Sequence, residues 1–507
     1  MWLLILFLGV AFSYFFFEKK RPGSPPGPMI RVPIIGSAIF LGSNLVEGIA
    51  KLRKKYGDIF HLSLGSFSMV YVCDLDTLEK IGKMDEFSSR MEIERAPFKD
   101  INRWLRETGK STNGIIGSNG DTWKEQRRFT LRHLKDFGFG KTSMDDLIID
   151  EVKELIHDWR QTIASNEGTF HFDNTFNLSV FNCLWKIVSG KRLDITDKLE
   201  QERFRELSEM FASFGATGFI MMIAFNLPTC MAKKIPLLDK IKGFHTRTFQ
   251  WFREEYEKHK QTCDPGNPRD LIDAFVIERN RAEEEMDVNS SFYGKEGDLN
   301  YINTLFDLFI AGSETTSTTL LWSVVFIMNF PEAFERARLE IDEVVGRSRL
   351  PSIHDRPNMP YFEALMSEIM RMGNVAPIGV VHSVEKAVQL DEFRLQQDTI
   401  VHFCLTEVLS DPKYFPNPEQ FKPERFLETD PSGKLTYKPH RALIYFGLGK
   451  RECLGKALAK MELFLFLAAI VQNFDFEPAP GVPGINDCTV AITRLPIPFD
   501  AKVIARK

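Results

Sequence analysis

One cysteine of the seven in this chain, Cys453, sits where it can do chemistry. It lies in Phe446-Gly447-Leu448-Gly449-Lys450-Arg451-Glu452-Cys453-Leu454-Gly455, a glycine-rich loop that opens into a breaker-free helical run from Lys456 to Phe466. Glycines let a backbone turn closely around a large flat ligand. A helix N-terminus aims N–H groups and partial positive charge at the sulfur, conditions that favour a thiolate. A lone cysteine is by default an inert core residue. The neighbours favour a ligand instead: Phe446 can pack beneath its plane, and Arg451 can pair with an anion on it.

Three further constellations have reactive or charged groups at helical spacing. Ala311-Gly312-Ser313-Glu314-Thr315-Thr316 lies inside an uninterrupted helical stretch from Asn300 to Phe330. Gly312 costs a helix about 1 kcal/mol relative to alanine, and threonine hydroxyls can bond back to a carbonyl and bend the axis. Thr315 would then present its hydroxyl beside the gap left by Gly312, with Glu314 able to carry protons inward; a close contact between two helices is the other reading. Trp123 and Arg127, at i, i+4, share a helix face and can both hydrogen-bond a carboxylate, although a solvated face has the same pattern. Glu368 and Arg371, at i, i+3, can form a bidentate pair, and Arg425 offers the same carboxylate a second cation.

Taken together, Phe-Gly-x-Gly-x-Arg-x-Cys-x-Gly resembles the haem-binding loop of the cytochromes P450, whose haem is held by a cysteine thiolate that favours O–O cleavage. The resemblance extends over residues 25 to 507. It implies a mainly α fold with small β-sheets, one large domain, haem b, and Cys453 as axial ligand of the haem iron. Phe446, Gly447, Gly455, Arg451, Trp123, Arg127, His382 (in Pro377-Ile378-Gly379-Val380-Val381-His382), Ala311 and Gly312 would border the cofactor. Glu314 and Thr315 resemble the acid–threonine pair that delivers protons to dioxygen, and Glu368, Arg371 and Arg425 a buried structural network. By the same resemblance Phe98, Ile101, Phe211, Phe214, Phe306, Phe309, Val375, Val380 and Ile492 line an apolar substrate pocket. The implied activity is insertion of one oxygen atom from O2 into a lipophilic substrate. The alternatives are a non-catalytic haem or lipid-binding protein and a haem-thiolate isomerase; the latter typically lacks the acid–threonine pair. Pro268-Arg269-Asp270-Leu271-Ile272-Asp273 resembles the microsomal family-2 type. Ser410 replaces the histidine that the family often places before Asp-Pro.

The elements that position these residues follow from pattern. After residue 40 no Ser/Gly linker, charge block or repeat divides the 507 residues. A hydrophobic share of 44%, with 44 phenylalanines, suits a large core and apolar cavity. A net charge of −5 gives no sign of nucleic acid, and scattered cysteines without a CxxC pair indicate neither disulfides nor zinc. Asn44 to Tyr56 reads as helix, 59–64 and 67–72 as a hairpin, and a helix begins near Asp121. Phe211 to Leu227 reads as a buried helix pair or as a lid dipping into a bilayer.

Residues 1–17 are apolar and are followed by Glu18-Lys19-Lys20-Arg21. This pattern predicts a retained transmembrane signal anchor rather than a cleaved peptide. Residues 18–40 form a basic and proline-rich hinge, and 41–507 the haem-thiolate catalytic domain, cytosolic by the positive-inside rule. The resemblance adds the endoplasmic reticulum membrane as location. No flavin or nicotinamide fingerprint is present, so electrons must come from a separate NADPH-dependent reductase, with a cytochrome b-type donor as a second source. Lys124, Arg128, Arg132, Lys135, Lys450 and Lys456 form either a docking patch for it or a solvated face.

Overall fold

The computed structural model describes residues 22–506 apart from short stretches, among them 93–98, 107–112, 139–142 and 217–223. The anchor expected at 1–17, Phe98, Ile492 and the side chains of Phe211 and Phe214 lie outside the described residues. Among those described, no helix is long and apolar enough to cross a membrane.

The first helix, α1 (Leu45–Tyr56), is started by Asn44, whose side-chain oxygen accepts the N–H groups of Val46 and Glu47, and is ended by Gly57 at φ +95°. Strands β1 (Ile59–Leu64) and β2 (Phe67–Val72) pair antiparallel from Ile59↔Val72 to Leu64↔Phe67, the hairpin expected from their β-branched and aromatic content. Helix α2 (Leu75–Lys83) follows, then α3 (Gly120–Asp136), β3 (Thr169–Phe172), α4 (Asn177–Ser189) and the long α5 (Pro236–Thr262).

Helix α6 runs from Gly294 to Asn329, 36 residues, and is buried along most of its length. It begins six residues before Asn300, where the sequence pattern alone would start it, since tertiary packing overrides the weak propensity of Gly294 and Gly297. A ladder of hydroxyls bonds back along it: Ser313 to the Phe309 carbonyl (2.6 Å), Thr315 to Ala311 (2.9 Å), Thr319 to Thr315 (2.8 Å) and Ser323 to Thr319 (2.9 Å). These hydroxyls are satisfied within the helix that crosses the core, so none needs a partner from a neighbour.

Beyond it lie α7 (Pro360–Gly373), β4 (His382–Ser383), β5 (Ile400–Phe403), α8 (Lys456–Asn473), β6 (Phe474–Pro478) and β7 (Phe499–Ala505). A four-stranded sheet has the order β1-β2-β5-β4, and a three-stranded one the order β6-β7-β3. Helix α8 is apolar on every side and is buried from Met461 to Gln472, as a helix at the centre of a large core must be. It packs on α6 and α7, and this contact aligns the cysteine loop with the middle of α6.

Candidate active site

The loop before α8 is shaped by glycines with backbone angles that other residues resist. Gly447 and Gly449 have φ of +72° and +75°, and a Cβ on Gly449 would lie 2.0 Å from the Gly82 carbonyl of α2. The Cys453 N–H donates to Phe446 O (3.0 Å) and the Gly447 N–H to Ile444 O (2.8 Å), which closes the loop under the sulfur. Burial pushes the Cys453 thiol up, against the downward pull of the Gly455 N–H and Arg127. A metal cation facing the sulfur would reverse that balance, because a coordinating thiol is deprotonated outright.

Cys453 opens onto a cavity of about 330 Å³ that it shares with Phe446, Gly447 and Gly455 of its loop, with Ala311, Gly312 and Thr315 of α6, and with Val375, Val380 and His382. At i, i+4 on α3, Trp123 and Arg127 both reach this region, and the buried Trp123 indole N–H has no partner. Three guanidiniums, Arg90, Arg127 and Arg451, line the same cavity. Arg451 donates to Ser88 O (2.7 Å), Ile115 O (3.1 Å) and Ser118 O (2.6 Å), and it stacks 3.9 Å from the Trp123 ring centroid. Arg90 donates to Val380 O (3.0 Å) and Val381 O (2.9 Å), and Arg127 to Glu452 O (2.7 Å).

Among the described residues no carboxylate bonds any of these three. Burial and mutual repulsion pull Arg451 down to about 8 and Arg90 to about 9, and Arg127 falls for the first of those reasons. Guanidinium keeps its proton in proteins, so the cluster has an unmet demand for negative charge, with an orphaned indole N–H beside it. His382 stacks on Phe403 at 4.0 Å and donates Nδ1–H to Phe87 O (2.6 Å). Burial, then Arg90, holds it well below its usual range, hence neutral. A flat, largely apolar ligand with carboxylates on one edge and a metal at its centre matches these groups.

The family model for cytochrome P450 matches residues 25–503. The chain belongs to the cytochrome P450 family. It is 34% identical over 521 residues to cytochrome P450 2B4 of Oryctolagus cuniculus, covering 99% of this chain and 99% of the relative. Cytochrome P450 2A4 of Mus musculus is 36% identical over 471 residues (91% of this chain, 89% of the relative), and cytochrome P450 2A13 of Homo sapiens 35% over 470 (91% and 88%). This cytochrome P450 is a haem-thiolate monooxygenase: its cofactor is haem b, its electrons come from NADPH by way of a redox-partner reductase, and its substrates are lipophilic. Its microsomal family-2 relatives imply an endoplasmic reticulum membrane location.

Away from the cysteine loop, the P450 core is held by a buried ion network. Arg371 grips Glu368 through two bonds of 2.7 and 2.9 Å, Arg425 adds a third of 3.0 Å, and the Lys422 N–H a fourth of 2.9 Å. The remaining guanidinium donors end on Leu409 and Pro418 carbonyls for Arg371, and on Pro416 and Gln420 carbonyls for Arg425.

On α6 the picture differs from the sequence expectation in three respects. The space left by the missing Gly312 side chain is occupied, since a Cβ there would lie 2.5 Å from Leu184 Cδ2 of α4. Glu314 does not line the cavity; it is buried and accepts from Asn177 Nδ2 of α4 (3.0 Å). Phe306 and Phe309 are core residues rather than pocket walls: Phe306 packs on Phe244, His245 and Phe249, and Phe309 on Phe181, Phe204 and Trp251. With about 3.6 residues per turn, the face carrying Ala311 and Thr315 carries Asp307, Leu308 and Thr319 as well, and these line the cavity. Ile101 likewise packs elsewhere, with Ala224, Leu238 and Ile241.

Arg90 and Asp307 were not legible as site residues. Arg90 belongs to no motif, and Asp307 acts by accepting the Ile115 and Ile116 N–H groups (2.7 and 2.8 Å), which fixes the loop before α3. The helical phase of Ala311 and Thr315 was the available signal for Asp307.

Proposed function

We propose that Cys453 ligates the haem iron, that Trp123, Arg127, Arg90 and Arg451 receive the haem propionates, and that Thr315 faces the oxygen-binding side. The observation that carries this reading is a cluster of three arginines, bonded by no carboxylate among the described residues, lining a cavity that Cys453 and Thr315 also line. Haem b, when bound, supplies dioxygen activation assisted by electron donation from the thiolate.

The chain's own tasks are then distinct. Ala311, Val375 and Val380 give an apolar wall that excludes water and accepts a lipophilic molecule. Thr315 holds a hydroxyl at the cavity surface, tied to the Ala311 carbonyl, from which it could relay a proton into the cavity. Glu314 serves from the opposite flank, buried against Asn177, as a proton source reached by movement of its side chain or by water. Thr315→Val is expected to leave the haem spectrum unchanged and to lower product formed per NADPH consumed by at least about tenfold, since one positioned proton-transfer group typically contributes about 10²- to 10⁴-fold to a rate. Coupling equal to wild type would remove Thr315 from this role.

Residues 1–17 serve as the anchor and 18–40 as the hinge, with residues 41–507 facing the cytosol. Lipid and a cytochrome b-type donor are the accompanying partners. Support for reductase docking at the basic face is partial: Lys124, Lys450 and Lys456 pair with Asp121, Asp85 and Glu452, and exposed pairs of this kind are weak enough to open for a partner. NADPH-dependent product formation in membranes reconstituted with reductase tests the enzyme against a non-catalytic haem or lipid carrier.

A further inference from the structure

Three carboxyls line the cavity, Asp307, Glu452 and Glu462, and they are not equivalent. Asp307 accepts two backbone N–H groups, and Glu452 is paired with Lys456. Glu462, on α8, has neither. It is 2% exposed, it lies beside Thr316 of α6, and its Oε1 is buried with no partner among the described residues. The nearby Cys183 of α4 is a buried thiol that donates to Ser179 O (3.5 Å) and brings no positive charge. Burial raises Glu462 to about 8, and an ionised carboxylate without a cation would be far more costly there than the acid.

A buried carboxyl with an oxygen that no described residue bonds needs a partner. Buried waters take such positions where two or more polar groups converge. Thr316 is the residue after Thr315, so whatever fixes Thr316 also fixes the turn that carries the Thr315 hydroxyl.

We propose that Glu462 is a positioning residue: its buried carboxyl, with the neighbouring Thr316, holds a water in the wall between α6 and α8 and thereby sets the turn presenting Thr315. The inference rests on the haem site proposed above but assigns Glu462 no contact with iron or substrate.

The test uses the full chain, loaded with haem, as wild type, Glu462→Gln, Glu462→Leu and Thr316→Val. Infrared difference spectra of the reduced, carbon monoxide-bound protein before and after photolysis should contain a protonated-carboxyl C=O band. That band should shift in D2O, move in Thr316→Val and vanish in Glu462→Gln. Product per NADPH should stay within about twofold of wild type in Glu462→Gln, which keeps the hydrogen bonds. It should fall about tenfold in Glu462→Leu, which strands Thr316 and the water. A carboxyl band unchanged in Glu462→Gln, or wild-type coupling in Glu462→Leu, overturns the proposal. If Glu462→Leu does not fold, the Thr316→Val and Glu462→Gln spectra decide. The same samples report the cysteine site separately: a thiolate-type reduced carbon monoxide spectrum leaves that reading standing whichever way Glu462 falls.

Discussion

Replacing Glu368 with alanine is expected to abolish folded, haem-loaded protein. The side chain is 0% exposed and accepts two bonds from Arg371, one from Arg425 and one from the Lys422 N–H. Without it two buried guanidiniums face each other with only carbonyls for company. Breaking a buried pair by deleting one partner costs about 3–5 kcal/mol, a large share of the roughly 5–15 kcal/mol that holds a typical domain together. Glu368→Gln keeps shape and hydrogen-bonding capacity but not charge, so it should lie between the two. Denaturant midpoints and the yield of haem-bound protein measure the series. A Glu368→Ala protein with a wild-type midpoint would show that the network contributes nothing to stability.

The second large effect changes sign with the cofactor. Arg90, Arg127 and Arg451 repel one another, and among the described residues no carboxylate bonds them. Arg127→Leu should therefore relieve repulsion in the haem-free protein and raise its unfolding midpoint. In the haem-bound protein it removes a charge-assisted bond to a propionate, worth about 1.5–3 kcal/mol, so haem should leave about 10- to 100-fold faster. Transfer of haem to an excess of a haem-free scavenger protein gives the rate, and thermal melts of the haem-free form give the other sign. Arg127 is the preferred position because, among the described residues, its side chain makes one bond, to Glu452 O, whereas Arg451 braces the loops at Ser88, Ile115 and Ser118. Loss of stability in both forms would mean that Arg127 is merely structural.

Where chemistry and spacing coincide in one short segment, the sequence was informative. The cysteine loop, the Trp123–Arg127 pair, the Glu368–Arg371 pair and the two strands of the first hairpin all depend on neighbours in the chain, and the structure places each residue on the expected element. The misplaced residues depend on partners far along the chain. Phe306 and Phe309 read as pocket walls by resemblance to the family, yet the phase of α6 turns them toward α4 and α5. Glu314 read as an acid able to carry protons inward for its place beside Thr315, but consecutive helical positions are about 100° apart, and it is buried, accepting a bond from Asn177. Glu462 carried no motif at all. Its interest arises from burial and from the absence of a cation, which only the packing of α8 on α6 reveals.

The most direct test of the account is the absorption spectrum of the purified, haem-supplied protein reduced under carbon monoxide. The account predicts the red-shifted Soret band of a thiolate-ligated haem in the wild type and its disappearance in Cys453→Ala. A well-folded wild type without that band, or a Cys453→Ala protein that retains it, would contradict the assignment of Cys453 as the iron's ligand.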